Sequence, residues 1–342
     1  MLRNSRREIE CTPAFEDGIS DMAWSPVNNY LAVACWSGEV RVWECNGDSA
    51  VAKWSWKHEQ GAALSVCWSS DGSRIFSGGQ NKKIHVFSCQ NGQTFSFEAH
   101  QDAVKCLRWM NGPTPCLVSG SWDKTVKYWD LNSPNPIASV QLPEKCLAMD
   151  IAYPTMVVAT HNRRILQFNL QNPTHIVDNA LSPLNSQTRS IACFLDGKGY
   201  VLGGISGRVS VKFLESHNHS NSFSFKSHRV TGSSREPEKV YSINGISFNP
   251  RHKTFATYGS DGTFCFWDKD SRQKTYTSTR QTDSISAGAW SGDSEMFAYA
   301  VSYDWHKGFE QTSQNKVNKI KIYKPLESEM RPKPSGMSRF GR

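Results

Sequence analysis

The chain has 342 residues, 38% of them hydrophobic and 20% charged, which is enough apolar material for a packed core. No window reaches the ~18 consecutive apolar residues of a membrane span, and the start, Met1 to Arg7, has no apolar run behind its basic residues, so no secretory signal is expected. The ten cysteines show no C-x-x-C pair and no recurring Cys/His spacing, which argues against zinc and disulfide frameworks and for buried reduced thiols, while the net charge of +8 points to acidic partners.

In chain order, Glu8-Ile-Glu-Cys-Thr12 reads as a lone strand. Gly18-Ile-Ser-Asp-Met-Ala-Trp-Ser-Pro26 then begins a pattern that recurs at Leu64, Val104, Ile243 and Ile285: a short alternating strand, an aromatic, a turn. A second strand follows each time, as in Tyr30-Leu-Ala-Val-Ala-Cys35 and Cys116-Leu-Val-Ser-Gly120, and then a third, as in Val40-Arg-Val-Trp43 and Val126-Lys-Tyr-Trp129. The clearest copies are Ser119-Gly-Ser-Trp-Asp-Lys-Thr-Val-Lys-Tyr-Trp-Asp130 and Gly259-Ser-Asp-Gly-Thr-Phe-Cys-Phe-Trp-Asp268. Weaker copies begin near Met149 and Ser190, and the last runs from Ile285 to Tyr323. A period of roughly 40–45 residues is that of WD repeats. The expected fold is all-β: a seven-bladed WD-repeat β-propeller, closed by an N-terminal strand that lends the last blade its outer strand. Residues 1–7 read as an extension, 8–325 as the propeller and 326–342 as a basic, disordered tail.

His100, a serine at 119 or 121, Asp123 and Trp129 match the hydrogen-bonded tetrad inside a WD blade rather than a catalytic set. No Gly-rich phosphate loop, G-x-S-x-G or metal-ligand spacing appears, so neither enzyme nor cofactor is expected. The loops between second and third strands should share one face. They carry Trp36, Lys82, Trp122, Lys124, Arg164, Arg208, Trp305 and Lys307, a Trp and cation set suited to an acidic peptide. A second group interleaves aromatics and cations: Phe225, Lys226, His228, Arg229, Lys269, Arg272 and Lys274. Cations neutralise phosphates and aromatics stack bases, so this group is a candidate for single-stranded RNA. Val230 to Lys239 reads as a flexible excursion between blades.

Several segments exceed what a generic repeat prescribes: Gln141-Leu-Pro-Glu-Lys-Cys146, Tyr153-Pro-Thr-Met-Val-Val-Ala-Thr160, Phe225-Lys-Ser-His-Arg229 and Phe297-Ala-Tyr-Ala-Val-Ser-Tyr-Asp-Trp-His-Lys-Gly308. Through them the chain resembles the messenger-RNA export factor family of the nuclear pore, from Ile9 to about Lys324. The resemblance implies a propeller that binds a hairpin-forming GLEBS motif of an FG nucleoporin across the loop-bearing face, with Arg208 meeting an acidic residue. It also implies links to RNA and to mitotic checkpoint or spindle proteins, and a place in the nucleus and at the nuclear envelope rim, with some cytoplasmic pool. A monomer, or a heterodimer with the nucleoporin, is expected, with no membrane insertion. Two other readings stand beside it: the sister propeller of the spindle checkpoint, which binds the equivalent motif in checkpoint kinases, and a substrate receptor of a ubiquitin ligase.

Overall fold

A computed structural model describes residues 8–133, 135–232, 237–308 and 318–332. The short alternating segments form antiparallel sheets of four strands. In the first, Ile19–Trp24, Tyr30–Cys35, Glu39–Asn46 and Ser49–Lys57 run from inside to outside. Burial follows that order: Tyr30–Cys35 is buried after its first residue, Glu39–Asn46 alternates, and Ser49–Lys57 is largely exposed. Seven such units can be traced among the described residues, two of them fused into an eight-stranded sheet.

The innermost strands are Ile19–Trp24, Ala63–Trp68, Val104–Met110, Cys146–Ala152, Thr188–Cys193, Ile243–Phe248 and Ile285–Trp290. Each packs on the next and the last packs on the first, so the units form a closed ring. The expected closing strand is present as Ile9–Phe15, antiparallel to Asn318–Tyr323 with Ile9 opposite Ile322 and Cys11 opposite Ile320. Its other edge meets the first unit through Thr12 and Val51, and Trp43 Nε1 donates to Thr12 O at 3.0 Å. Ile9, Cys11, Ile320 and Ile322 are all buried in one cluster with Leu31 and Trp43.

The tetrad resolves to Ser119. Its Oγ lies 2.8 Å from Trp129 Nε1 and 2.7 Å from His100 Nε2, and His100 Nδ1 lies 2.8 Å from Asp123. Ser121 instead donates to Ala103 O at 2.8 Å. A second tetrad joins Trp267, Thr257, His228 and Asp261 at 2.9 Å per link. The second unit has Phe87 where the third has Trp129, and the donor moves to Trp56 on the preceding outer strand. Trp56 Nε1 lies 3.2 Å from Ser77 Oγ and its ring stacks on Phe87 at 4.7 Å.

Two expectations are corrected. The tail does not begin at residue 326: Glu327–Met330 is a helical turn, with Met330 buried and its carbonyl accepting from Thr254 Oγ1 at 2.9 Å. Glu329 accepts from Tyr323 at 2.8 Å, so apolar burial and a buried hydroxyl anchor the segment. Residues 333–342 lie outside the described residues. The excursion from Val230 to Lys239 is not loose at its ends, because Arg229–Val230 pairs with Lys239–Val240; residues 233–236 lie outside the described residues, as do 1–7 and 309–317. All ten cysteines are unpaired, nine buried and Cys89 half-buried. No helix among the described residues is long and apolar enough to cross a membrane.

Replacing Ser119 by Ala leaves Trp129 N–H and His100 Nε2 buried without their shared partner. A loss of about 2 kcal/mol or more in chemical denaturation is expected; an unchanged midpoint would show that the tetrad contributes nothing. Acid should act in the same direction. Burial pushes His58 down to about 3, with His85 adding to it, and burial also lowers His85 and His100. These imidazoles stay neutral in the folded chain while the unfolded chain takes up protons near pH ~6.5. Stability is therefore whole above that value and is lost progressively towards pH 3. Melting temperatures at successive pH steps test this, and a flat profile from pH 7 to pH 4 would contradict it.

Candidate functional site

The ring converges on a central channel whose mouth is built by a repeated irregularity. In every innermost strand the register slips after the first residue, between Ile19 and Asp21, Ala63 and Ser65, Val104 and Cys106, and Cys146 and Ala148. The same slip falls between Thr188 and Ser190, Ile243 and Gly245, and Ile285 and Ala287. A bulge adds one unpaired residue and re-aims its side chain. The seven extra residues, Ser20, Leu64, Lys105, Leu147, Arg189, Asn244 and Ser286, all line one cavity of about 320 Å³ at the channel mouth.

Above them stand Trp36, Trp122 and Trp305, from three of the loops joining second to third strands. Trp36 is 37% exposed and Trp305 36%, and their rings meet edge-on at 5.7 Å. Trp305 adopts φ +65°, a conformation costly for a bulky residue. The neighbouring Asp304 over-determines it. This carboxylate is buried and accepts from Asn244 Nδ2 at 2.6 Å, Ser284 Oγ at 3.1 Å and Ser260 Oγ; His306 Nδ1 lies 2.6 Å away. Burial would raise the Asp304 pKa, but these hydrogen bonds and the Arg189 charge outweigh it and hold it low. Burial in turn lowers the Arg189 pKa, the Asp304 charge opposing. The third tryptophan packs on Leu64 and Ala103 and sits 5.7 Å below the Lys145 ammonium. Its indole N–H is buried with no partner among the described residues.

Of the cations expected on this face, Lys82, Arg208 and Lys307 are exposed and make no side-chain hydrogen bond or ion pair among the described residues. Two others differ. Lys124 is held by Glu144 at 2.6 Å, which neutralises it. Arg164 donates to Asn179 on the outer strand of the fourth unit at 3.0 Å, away from the mouth.

The aromatic and basic group read as an RNA candidate does not converge. Arg208 pairs with Lys226 in register, so Lys226 lies at the loop-bearing end of its strand. Arg229 is also at that end, donating to Ser206 O at 2.8 Å and pairing with Glu238 at 2.7 Å. Lys269 and Arg272 lie beyond the other end of the strand Phe264–Asp268, about 17 Å away at ~3.3 Å per residue. Lys269 is 9% exposed, beside Asp270 at 2.7 Å and over the Phe194 ring at 5.1 Å. His228 is buried in its tetrad and Phe225 packs on Trp267 at 4.5 Å. Arg272 covers Phe223 at 4.7 Å, and Lys274 stands 5.7 Å from the Trp267 ring. Spacing in the sequence joined residues that the strand direction separates.

Comparison with known proteins agrees with this architecture. The family model described as "WD domain, G-beta repeat" matches residues 210–268, and that of the anaphase-promoting complex subunit 4 WD40 domain matches 22–112. The solved structure of U3-55K superposes with a TM-score of 0.75 at 16% identity, covering 92% of this chain and 97% of that one, a likeness of fold. The Poly(A)+ RNA export protein of Schizosaccharomyces pombe is 43% identical over 333 residues, 96% of this chain and 94% of its own length. The chain belongs to the mRNA export factor family. Other relatives are Protein Rae1 of Drosophila melanogaster, 38% identical over 96% of this chain and 97% of its own, and mRNA export factor GLE2 of Chaetomium thermophilum, 37% identical over 98% and 95%.

In this family member the cavity floor was missed in the sequence. Lys105, Arg189 and Asn244 each sit one place after the first residue of an inner strand, where alternation should have turned them with their neighbours. No hydrophobic pattern marks them, because the bulge at the second place of every inner strand is set by pairing with the next strand. Nothing in the spacing around Asp304 marks it as an anchor, and that role can be tested. Asp304→Ala leaves Asn244, Ser284 and Ser260 without their acceptor, so a loss of about 3 kcal/mol and a red-shifted tryptophan emission are expected. Emission and stability like those of the parent would show that the loop holds Trp305 by itself.

Proposed function

We propose that this chain is a non-catalytic adaptor in messenger-RNA export that holds an acidic, GLEBS-type hairpin of an FG nucleoporin across its loop-bearing face. The observation that carries the reading is the cavity itself: three tryptophans from three separate units stand over one basic floor. Tryptophan and arginine supply most hot-spot energy at interfaces, the ring by burial and the guanidinium by bidentate pairing with carboxylates. Lys105 and Arg189 bring positive charge into a cavity wall that also holds Ile19, Leu64, Leu147 and the single carboxylate of Asp304, which faces Arg189. Such a lining favours a ligand with apolar side chains flanked by carboxylates. The exposed Arg208, Lys82 and Lys307 extend the same polarity outward. The names of the relatives, export factors at 37–43% identity over nearly the whole chain, support the export role. On this reading the protein works in the nucleus at the pore rim, with a cytoplasmic pool.

Arg208→Glu is the direct test. Arg208 makes no side-chain hydrogen bond or ion pair among the described residues, so folding should be unchanged while affinity for a GLEBS peptide falls at least about tenfold, ~1.4 kcal/mol. Calorimetry giving parental affinity for a correctly folded variant would reject the assignment of this face.

A further inference from the structure

Two buried thiols meet where the third and fourth units join. Cys106 and Cys146 lie on adjacent innermost strands, their sulfurs 4.0 Å apart. Cys146 is fully buried, and Cys106, 6% exposed, contributes to the wall of the inner channel together with Lys105 and Arg108. The space for the second thiol is made by a glycine: a Cβ at position 120 would stand 2.6 Å from the Cys146 sulfur. We propose that Cys106 and Cys146 are a modification site, a dithiol that hydrogen peroxide entering through the central channel closes to a disulfide between two units of the ring.

The chemistry favours this pair over the other thiols. The Cys146 thiol donates to the Cys106 sulfur and holds the Cys106 pKa below the ordinary value despite burial, the Lys105 and Arg108 charges adding to the effect. A thiolate is the form that attacks peroxide. Cys146 is correspondingly pushed up. The other pair, Cys11 with Cys45, lies away from the channel: hydrogen bonding with Cys45 and burial both push Cys11 up, and neither residue contributes to the channel wall. Cys89 is more exposed but has no second thiol beside it among the described residues.

The steps balance with peroxide as the oxidant. The Cys106 thiolate attacks one peroxide oxygen, the O–O bond breaks, and hydroxide leaves to be protonated, giving a sulfenic acid. The Cys146 sulfur then attacks the Cys106 sulfur, loses its proton and expels water. In sum, two thiols and one peroxide give one disulfide and two waters. The sulfurs must approach by roughly 2 Å to reach bonding distance, which draws together the strands that carry Lys105 and Leu147 in the wall of the upper cavity.

The test is peptide mapping of the full chain after one equivalent of hydrogen peroxide, with alkylation and digestion without reductant. A linked pair of peptides bearing Cys106 and Cys146 is expected, lighter than the free thiols by two hydrogen atoms and released by reductant. The Cys146→Ser variant should stop at a sulfenic acid on Cys106, trapped by a cyclic dione probe, and Cys106→Ser should yield neither product. Oxidation appearing first at Cys89, a Cys11–Cys45 link instead, or both thiols of the pair recovered fully reduced would each overturn the proposal. Because the wild-type chain gives the primary readout, a variant that fails to fold does not weaken the test.

Discussion

A ring of sheets holds only if its last sheet pairs back onto its first, and here the strand Ile9–Phe15 makes that pairing. It takes the outermost place beside Asn318–Tyr323 and touches the first unit at Val51. Without it two sheet edges would present unpaired backbone groups to water, a liability that closure removes. Its energy comes mainly from burial of Ile9, Cys11, Ile320 and Ile322. The ion pairs Lys319–Glu10 and Lys321–Glu8, both at 3.1 Å and partly exposed, add little. The channel, its mouth and every residue placed there depend on this seam, because an open ring would not bring seven inner strands to one axis.

Inside the ring, units are tied by polar links as well as apolar packing. Asp21 accepts from Ser65 at 2.9 Å, whose hydroxyl accepts from Leu107 N at 3.1 Å, so one chain of hydrogen bonds crosses three units. Asp150 repeats the arrangement, pairing with Arg108 at 2.8 Å on one side and accepting from Cys193 N at 2.8 Å on the other. Buried networks of this kind are stabilising only when every member has a partner, which the ring geometry provides. The bulges depend on the same geometry: a one-residue slip in each inner strand frees one side chain per unit, and the ring aims all seven at one cavity.

Much of the function-bearing detail lies in departures from regular repeats. The second unit exchanges the places of Trp and Phe, yet Trp56 still reaches Ser77. Trp305 takes the positive φ that Lys82 and Lys124 take in their own loops, next to an Asp304 held by Asn244 of the preceding unit. In each case a polar contact crosses from one unit to the next. The basic aromatic group failed as one surface for the complementary reason: strand direction separates Lys226 and Arg229 from Lys269 and Arg272, and burial takes Lys269 out of any surface.

The repeat, the closing strand, the tetrad around His100 and the three tryptophans are legible in the chain alone, because they rest on period-two alternation and on fixed offsets between turn and strand residues. Those are local properties, legible one segment at a time. Packing in three dimensions settles which of Ser119 and Ser121 joins the tetrad, that Lys124 pairs with Glu144, and that Lys105 and Arg189 share a cavity with tryptophans from other units. Each of these depends on which residues meet across strands and units far apart in the chain. A one-residue slip in register, invisible in a hydrophobic pattern, is what turned a packed inner strand into a wall with a charged side chain facing the cavity.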